Sequence, residues 1–148
     1  MSERILDLLD SIRQSRKQYF VREYEALGLG RGEGTCLLRI CENPGISQEN
    51  LSRLLLMDKG NLARRLSLME EKGLVNRQVS PQDRRILELY PSEKGLDLLP
   101  RIREIRSCWD EHVLEDISPE EKERLSSMLQ DIADKASEML NNPEVSAL

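Results

Sequence analysis

Between Ser47 and Ser92 the chain runs through two short helical stretches and a charged hairpin with few residues to spare between them, and that succession leaves few ways to fold. Ser47 is placed to N-cap a helix over Gln48–Leu56, its hydroxyl oxygen accepting a backbone N–H that the first turn leaves free. Asp58 can do the same for a second helix. Leu51, Leu54 and Leu55 on the first and Leu62, Leu66 and Met69 on the second follow i, i+3, i+4, i+7 spacing, so two apolar stripes can face each other. Lys59, Asn61, Arg64 and Arg65 are left pointing outward. Gly73 stands where the second helix should stop, because glycine takes the left-handed C′ conformation without a Cβ penalty. Val75, Arg77 and Val79 then alternate with Asn76 and Gln78, as Leu87 and Leu89 do with Glu88 and Tyr90. That is the period of two strands, joined by a turn at Ser80-Pro81-Gln82-Asp83.

This is the outline of a winged helix-turn-helix, which presents its second helix to a DNA major groove and its hairpin loop to the neighbouring minor groove. The run DKGNLARRLSLMEEKGLV resembles the recognition helix and strand entry of the MarR family of bacterial and archaeal transcription regulators. Asp83-Arg84-Arg85 followed by Leu89, Ser92 and Gly95 is similar to that family's wing signature, an Asp, an Arg two residues on, and a Thr-x-x-Gly helix start. Two positions depart from it. Pro91 stands where an aliphatic residue is usual, lacking only one ladder donor at a strand end, and Ser92 replaces Thr but can still cap. The resemblance extends over nearly the whole chain, since the flanking helices have the expected order and length.

On this reading Asn61 and Arg64 are the candidates for base edges, since Asn can bond adenine bidentately and Arg guanine. Lys59 and Arg65 are assigned to phosphates, and Ser47, Gln48 and Arg77 complete the expected DNA-facing set with Arg84 and Arg85. The family's Asp-x-Arg pattern makes Arg85 the partner of Asp83. Either wing arginine could enter a narrow minor groove, where negative potential attracts guanidinium, and the sequence leaves open which one does.

The net charge of −5 looks wrong for a DNA binder until it is divided along the chain. Residues 47–90 hold eight Lys/Arg against six Asp/Glu, a local +2, and the remainder fourteen against twenty-one, or −7. Phosphate contacts are local, and distant acidic helices are screened beyond a Debye length of about 8 Å. Cys36, Cys41 and Cys108 are an odd number without a CxxC, which argues against a disulfide framework or structural zinc. Cys36 and Cys41 read as small core residues. Cys108, among Arg101, Arg103, Arg106 and His112, is the one candidate for a redox-sensing thiol, and with His112 it supplies only two of the ligands a metal needs. No glycine-rich phosphate loop or nucleophile elbow is present and His112 is the sole histidine, so catalysis is not expected, nor any cofactor. No apolar run approaches the roughly 18 residues that span a bilayer, and the acidic residues of the N-terminal stretch do not suit a signal peptide, so a cytoplasmic protein without membrane contact is expected.

At 148 residues a single, mainly α domain is expected. Residues 32–90 would form the winged module with its small β-hairpin, 1–27 and 92–140 the flanking helices, and 141–148 a frayed tail. Pro100 falls inside the helix after the wing, where it could kink it, and Ser118-Pro119-Glu120-Glu121 has the form of a capping box. Ile5, Leu8, Leu9 and Ile12 at the start, and Leu125, Met128, Leu129, Ile132 and Met139 at the end, make more apolar surface than a compact winged helix needs. The resemblance implies that these terminal helices interleave in a homodimer on a pseudo-palindromic operator. It also implies a repressor that a small molecule, bound where the dimer helices meet the winged module, would release. The rival readings are a regulator switched by oxidation of Cys108 and a winged helix that docks another protein without binding DNA.

Overall fold

The computed structural model describes residues 2–142, so Pro143 onward, most of the expected frayed tail, lies outside the described residues. The chain packs as two compact units, one through Trp109 and one from Asp110 onward. In the first, α1 (Ser2–Glu25) and α2 (Glu33–Glu42) precede a two-residue strand, β1 (Ile46–Ser47). Next come α3 (Gln48–Leu54), α4 (Lys59–Glu71), the hairpin β2 (Val75–Val79) and β3 (Leu87–Pro91), and α5 (Glu93–Val113), which continues through Pro100 without a break and ends in the second unit. The second unit is otherwise built on α6 (Pro119–Asn141). Among the described residues no helix is long and apolar enough to cross a membrane.

Local chemistry explains the boundaries. Ser47 Oγ accepts the Asn50 N–H at 3.1 Å and caps α3, and Asp58 Oδ1 accepts the Gly60 N–H at 2.9 Å to cap α4. At the other end of α4, the Gly73 N–H reaches Glu70 O at 2.8 Å and the Leu74 N–H reaches Met69 O at 2.9 Å, with Gly73 at φ 73°. These two bonds form a Schellman motif, which turns the chain sharply into β2. Ser118 and Glu121 form the reciprocal capping box of α6.

Leu37, Ile40, Leu51, Leu62, Leu66, Met69, Leu89 and Ile102 are fully buried, so α2, α3, α4, β3 and α5 share one core. Cys36 lies in it and Cys41 packs against it, as their apolar spacing suggests. Burying each such leucine is worth about 1.5–3 kcal/mol of apolar transfer. That core fixes α4 beneath the hairpin, leaving its opposite face to solvent.

Two expectations are corrected. The first helix of the module ends at Leu54, not Leu56, and Leu54 is half exposed, so the stripe facing α4 consists of Leu51 with Leu55 and not all three leucines. The hairpin also has a third strand. β1 pairs antiparallel with β3, Ile46 opposite Leu89 and Ser47 opposite Glu88, giving the order β1-β3-β2. Two residues have too short a pattern to read as a strand.

Leu56 occupies the turn between α3 and α4 with φ 51° and 91% of its surface exposed. A γ-branched side chain in the left-handed region is strained, and this one recovers nothing by burial. Leu56→Asn, which tolerates that conformation, is expected to stabilise the protein by about 0.5–1 kcal/mol. A denaturant midpoint that failed to rise would show that the turn carries no such strain.

Candidate nucleic-acid interface

The exposed face of α4 is charged from its first turn. Lys59 Nζ and Arg53 Nη2 share the Glu49 carboxylate, at 3.4 and 3.2 Å. These exposed pairs are weak and exchangeable. One turn on, Arg64 donates to Asn61 Oδ1, so the two base-edge candidates lie side by side and exposed. Arg65 does not join them, contrary to the outward placement expected from sequence. It is half-buried, its Nη1 directed at Met57 Sδ at 2.9 Å and its guanidinium stacked against Gly32, whose missing Cβ leaves the room. The helical wheel puts residue 65 at the border of the two faces, and the adjacent cavity at Gly32 decides its direction.

Arg77 is likewise held inside the module. Its Nη2 donates to Glu70 Oε2 at 2.8 Å and to Ser67 Oγ at 3.0 Å, and its backbone N–H donates to Glu70 Oε1 at 3.1 Å. Those bonds hold the Glu70 carboxyl below the usual carboxylate range. They clamp β2 to α4.

The wing tip spans Ser80 to Ile86, longer than the four-residue turn expected, and is closed by Ser80 N–H to Ile86 O at 2.9 Å. Arg85 grips Asp83 with Nε at 3.1 Å and Nη2 at 3.0 Å, and its backbone N–H adds a third bond at 3.0 Å, which lowers the Asp83 pKa. Arg84 is exposed and has no hydrogen bond or ion pair among the described residues. The two adjacent arginines are thus divided, one stiffening the tip and one free at its surface. Between wing and helix-turn-helix lies a groove of about 230 Å³ lined by Ser47, Gln48, Lys59, Arg85 and Leu87 among others. Gln48 Oε1 is buried and has no partner.

Sequence spacing gave no hint of one pair. Glu33 is buried and accepts from Lys72 Nζ at 2.7 Å and from the Gly30 N–H at 2.6 Å, while Lys72 also donates to Gly28 O at 3.3 Å. The contact fastens the end of α4 to the loop before α2. Thirty-nine residues separate the partners, so no periodicity could link them. Of the three thiols, Cys36 is pushed up to about 12 by burial and Cys41 is raised for the same reason, so neither is a ready thiolate; Cys108 is exposed on α5.

A helix-turn-helix tied to a basic hairpin is common to many regulators, and relatives narrow it. YybA, an HTH-type transcriptional regulator of Bacillus subtilis (strain 168), is 36% identical over 107 residues, covering 72% of this chain and 71% of that protein. The model for the MarR family matches residues 27–86, from just after α1 to the wing tip. The chain belongs to the MarR family. The structure of the transcriptional regulator SlyA shares a TM-score of 0.86 at 30% identity, covering 90% of this chain and 94% of that one. A Listeria monocytogenes protein assigned to the MarR family and crystallised with a 26mer DNA shares a TM-score of 0.88 at 26% identity, over 97% and 96% of the two chains. The protein is therefore a winged-helix, DNA-binding transcription regulator of the MarR family, a family of regulators and not of enzymes. α4 is the second helix of the helix-turn-helix, and Ser80–Ile86 is the tip of its wing.

Proposed function

We propose that this MarR-family regulator is a ligand-responsive repressor that occupies a pseudo-palindromic operator as a homodimer. Asn61 and Arg64 read base edges, and Arg84 enters the flanking minor groove. The observation that carries the reading is the pairing of Arg64 with Asn61 on the exposed face of α4, a bond that both side chains can exchange for bidentate contacts to guanine and adenine. Arg65 and Arg77 contribute by holding the module together. Ile5, Leu8 and Ile12 on α1, and Met128, Ile132 and Met139 on α6, are exposed in the single chain, which supports pairing of two copies. A twofold axis would then set two recognition helices about one DNA turn apart.

An effector reading has its own support. Tyr24 Oη and Arg106 Nη1 are both buried, the Arg106 guanidinium lying beside the Tyr24 hydroxyl, and the Tyr24 ring lies against Gly34, so the spot joins α1 and α5 to α2. Arg106 also sits 5.1 Å from the Phe20 ring centroid. An aromatic anion suits a guanidinium flanked by rings. Such a ligand acts only through its different affinity for the bound and released dimer geometries.

Selection from a random duplex pool would give the preferred site. On that site Arg64→Ala is expected to cost about 1–3 kcal/mol, with much less lost on unrelated DNA. Equal losses on both would reduce Arg64 to a phosphate contact. A wild-type chain that bound no duplex would turn the winged helix into a protein-docking module.

A further inference from the structure

Arg31, in the loop before α2, borders two grooves at once. One runs along the flank of α4 and is lined there by Asn61, the half-buried Arg65 and the Lys72–Glu33 pair. The other, about 380 Å³, follows α1 and is edged by Arg13, Lys17 and Arg22. The recognition helix is thereby joined through Arg31 to a second basic surface, formed by a helix outside the winged module.

In a chain with 27 acidic and 22 basic residues, a cation would be expected to find a carboxylate nearby. Arg22 does, pairing with Glu23 at 3.0 Å. Arg13, Lys17 and Arg31 have no ion pair or hydrogen bond among the described residues, and all three are exposed. The remaining lining, Gln14, Gln18 and Val21, offers no buried polar group that would define the outline of a small ligand. Long, unpaired cations on an open surface suit a polyanion, whose binding gains from counterion release and needs no fixed geometry. Arg13 and Lys17 are one helical turn apart, about 6 Å along the axis. A duplex strand carries a phosphate about every 3.4 Å of its axis, so the two can take separate phosphates of one strand.

We infer that the α1 groove, entered through Arg31, carries the DNA phosphate backbone beyond the base pairs under the recognition helix. It lengthens the footprint without reading sequence. This rests on the DNA-binding reading, and the test separates the two. The triple variant R13Q/K17Q/R31Q and the wild type are titrated across a range of salt with the selected duplex, with the same duplex trimmed of its flanks, and with an unrelated duplex. Exposed positions leave the fold intact, which circular dichroism verifies. The variant's log-affinity against log-salt slope is expected to be shallower by about 0.9 for each phosphate it no longer neutralises, hence by roughly two to three per subunit and about five for the dimer. Affinity falls by the same factor on selected and unrelated DNA, and trimming the flanks lowers the slope of the wild type alone. An unchanged slope, or a loss confined to the selected sequence, overturns the inference while DNA binding stands. A wild type that binds none of the three duplexes overturns both.

Discussion

Replacing Leu129 and Ile132 together with Asp is expected to leave a helical chain that no longer pairs and to weaken binding to the selected duplex by about 10²–10⁴-fold. The expectation comes from where the two side chains lie. On α6 no described residue is buried; Leu129 is half-buried and Ile132 38% exposed, in one row with Leu125 and Met128. In a lone chain a carboxylate at these positions reaches water at little cost. In an interface that covers the row, the same carboxylates would be desolvated without partners, costing several kcal/mol. The substitution therefore strikes the dimer and spares the subunit. Loss of duplex affinity follows because the second half-site would no longer be held at a high effective concentration. Mass in solution, helical content and duplex affinity are the three measurements. A folded monomeric variant with full affinity would end the requirement for paired recognition helices, and a wild type monomeric at micromolar concentration would end the dimer.

The second large effect is on stability. Gly95→Ala is expected to cost about 3 kcal/mol, at the upper end of overpacking penalties, and to lower the melting midpoint by roughly 6–12 °C. A Cβ at Gly95 would meet the Leu74 carbonyl oxygen and come within 3.0 Å of Leu37 Cδ1. The Leu74 oxygen belongs to the backbone at the start of β2, where it also accepts the Ser92 N–H at 3.0 Å. A flexible side chain could swing aside; this carbonyl cannot without breaking the joint between α5 and the hairpin. Helix propensity predicts the opposite sign, since alanine should gain about 1 kcal/mol over glycine in a helix. A higher midpoint for the alanine variant would thus remove close approach as the reason for glycine here.

That joint shows what a linear sequence can convey. The Ser92-x-x-Gly95 pattern was visible as a resemblance, and its physical content is a cap and a contact: Ser92 Oγ accepts the Gly95 N–H at 3.0 Å while the absent side chain admits Leu74. Caps at Ser47, Asp58 and Ser118, the turn at Gly73, and the stripe of Leu62, Leu66 and Met69 were equally legible, because each depends on residues within a few positions of one another. Failures came where a distant partner decides. Arg65 turned inward because Gly32 opened a space, Arg77 because Glu70 and Ser67 captured it, and Glu33 gained its role from Lys72. Leu54, the last residue of a helix that stopped two residues early, proved half exposed. For the wing, the Asp-x-Arg spacing pointed to the right partner for Asp83, but only the fold separated Arg84 from Arg85 by leaving one of them unbound.

The short strand β1 makes the winged module a gauge of fixed span. Ser47, which begins α3, is laddered to Glu88 in the middle strand of the hairpin, and Arg77 ties the outer strand to α4 through Glu70. Both arms of the hairpin are thus anchored to the helices, and the tip between Ser80 and Ile86 lies outside both ties. On the proposed reading, the distance between α4 in a major groove and the wing tip in the next minor groove is set before any DNA arrives. When a duplex departs from that distance, most of the adjustment falls to the DNA, at a cost that depends on how easily its base steps bend and twist. Base pairs touched by no side chain would then help sort one site from another, by compliance and not by contact.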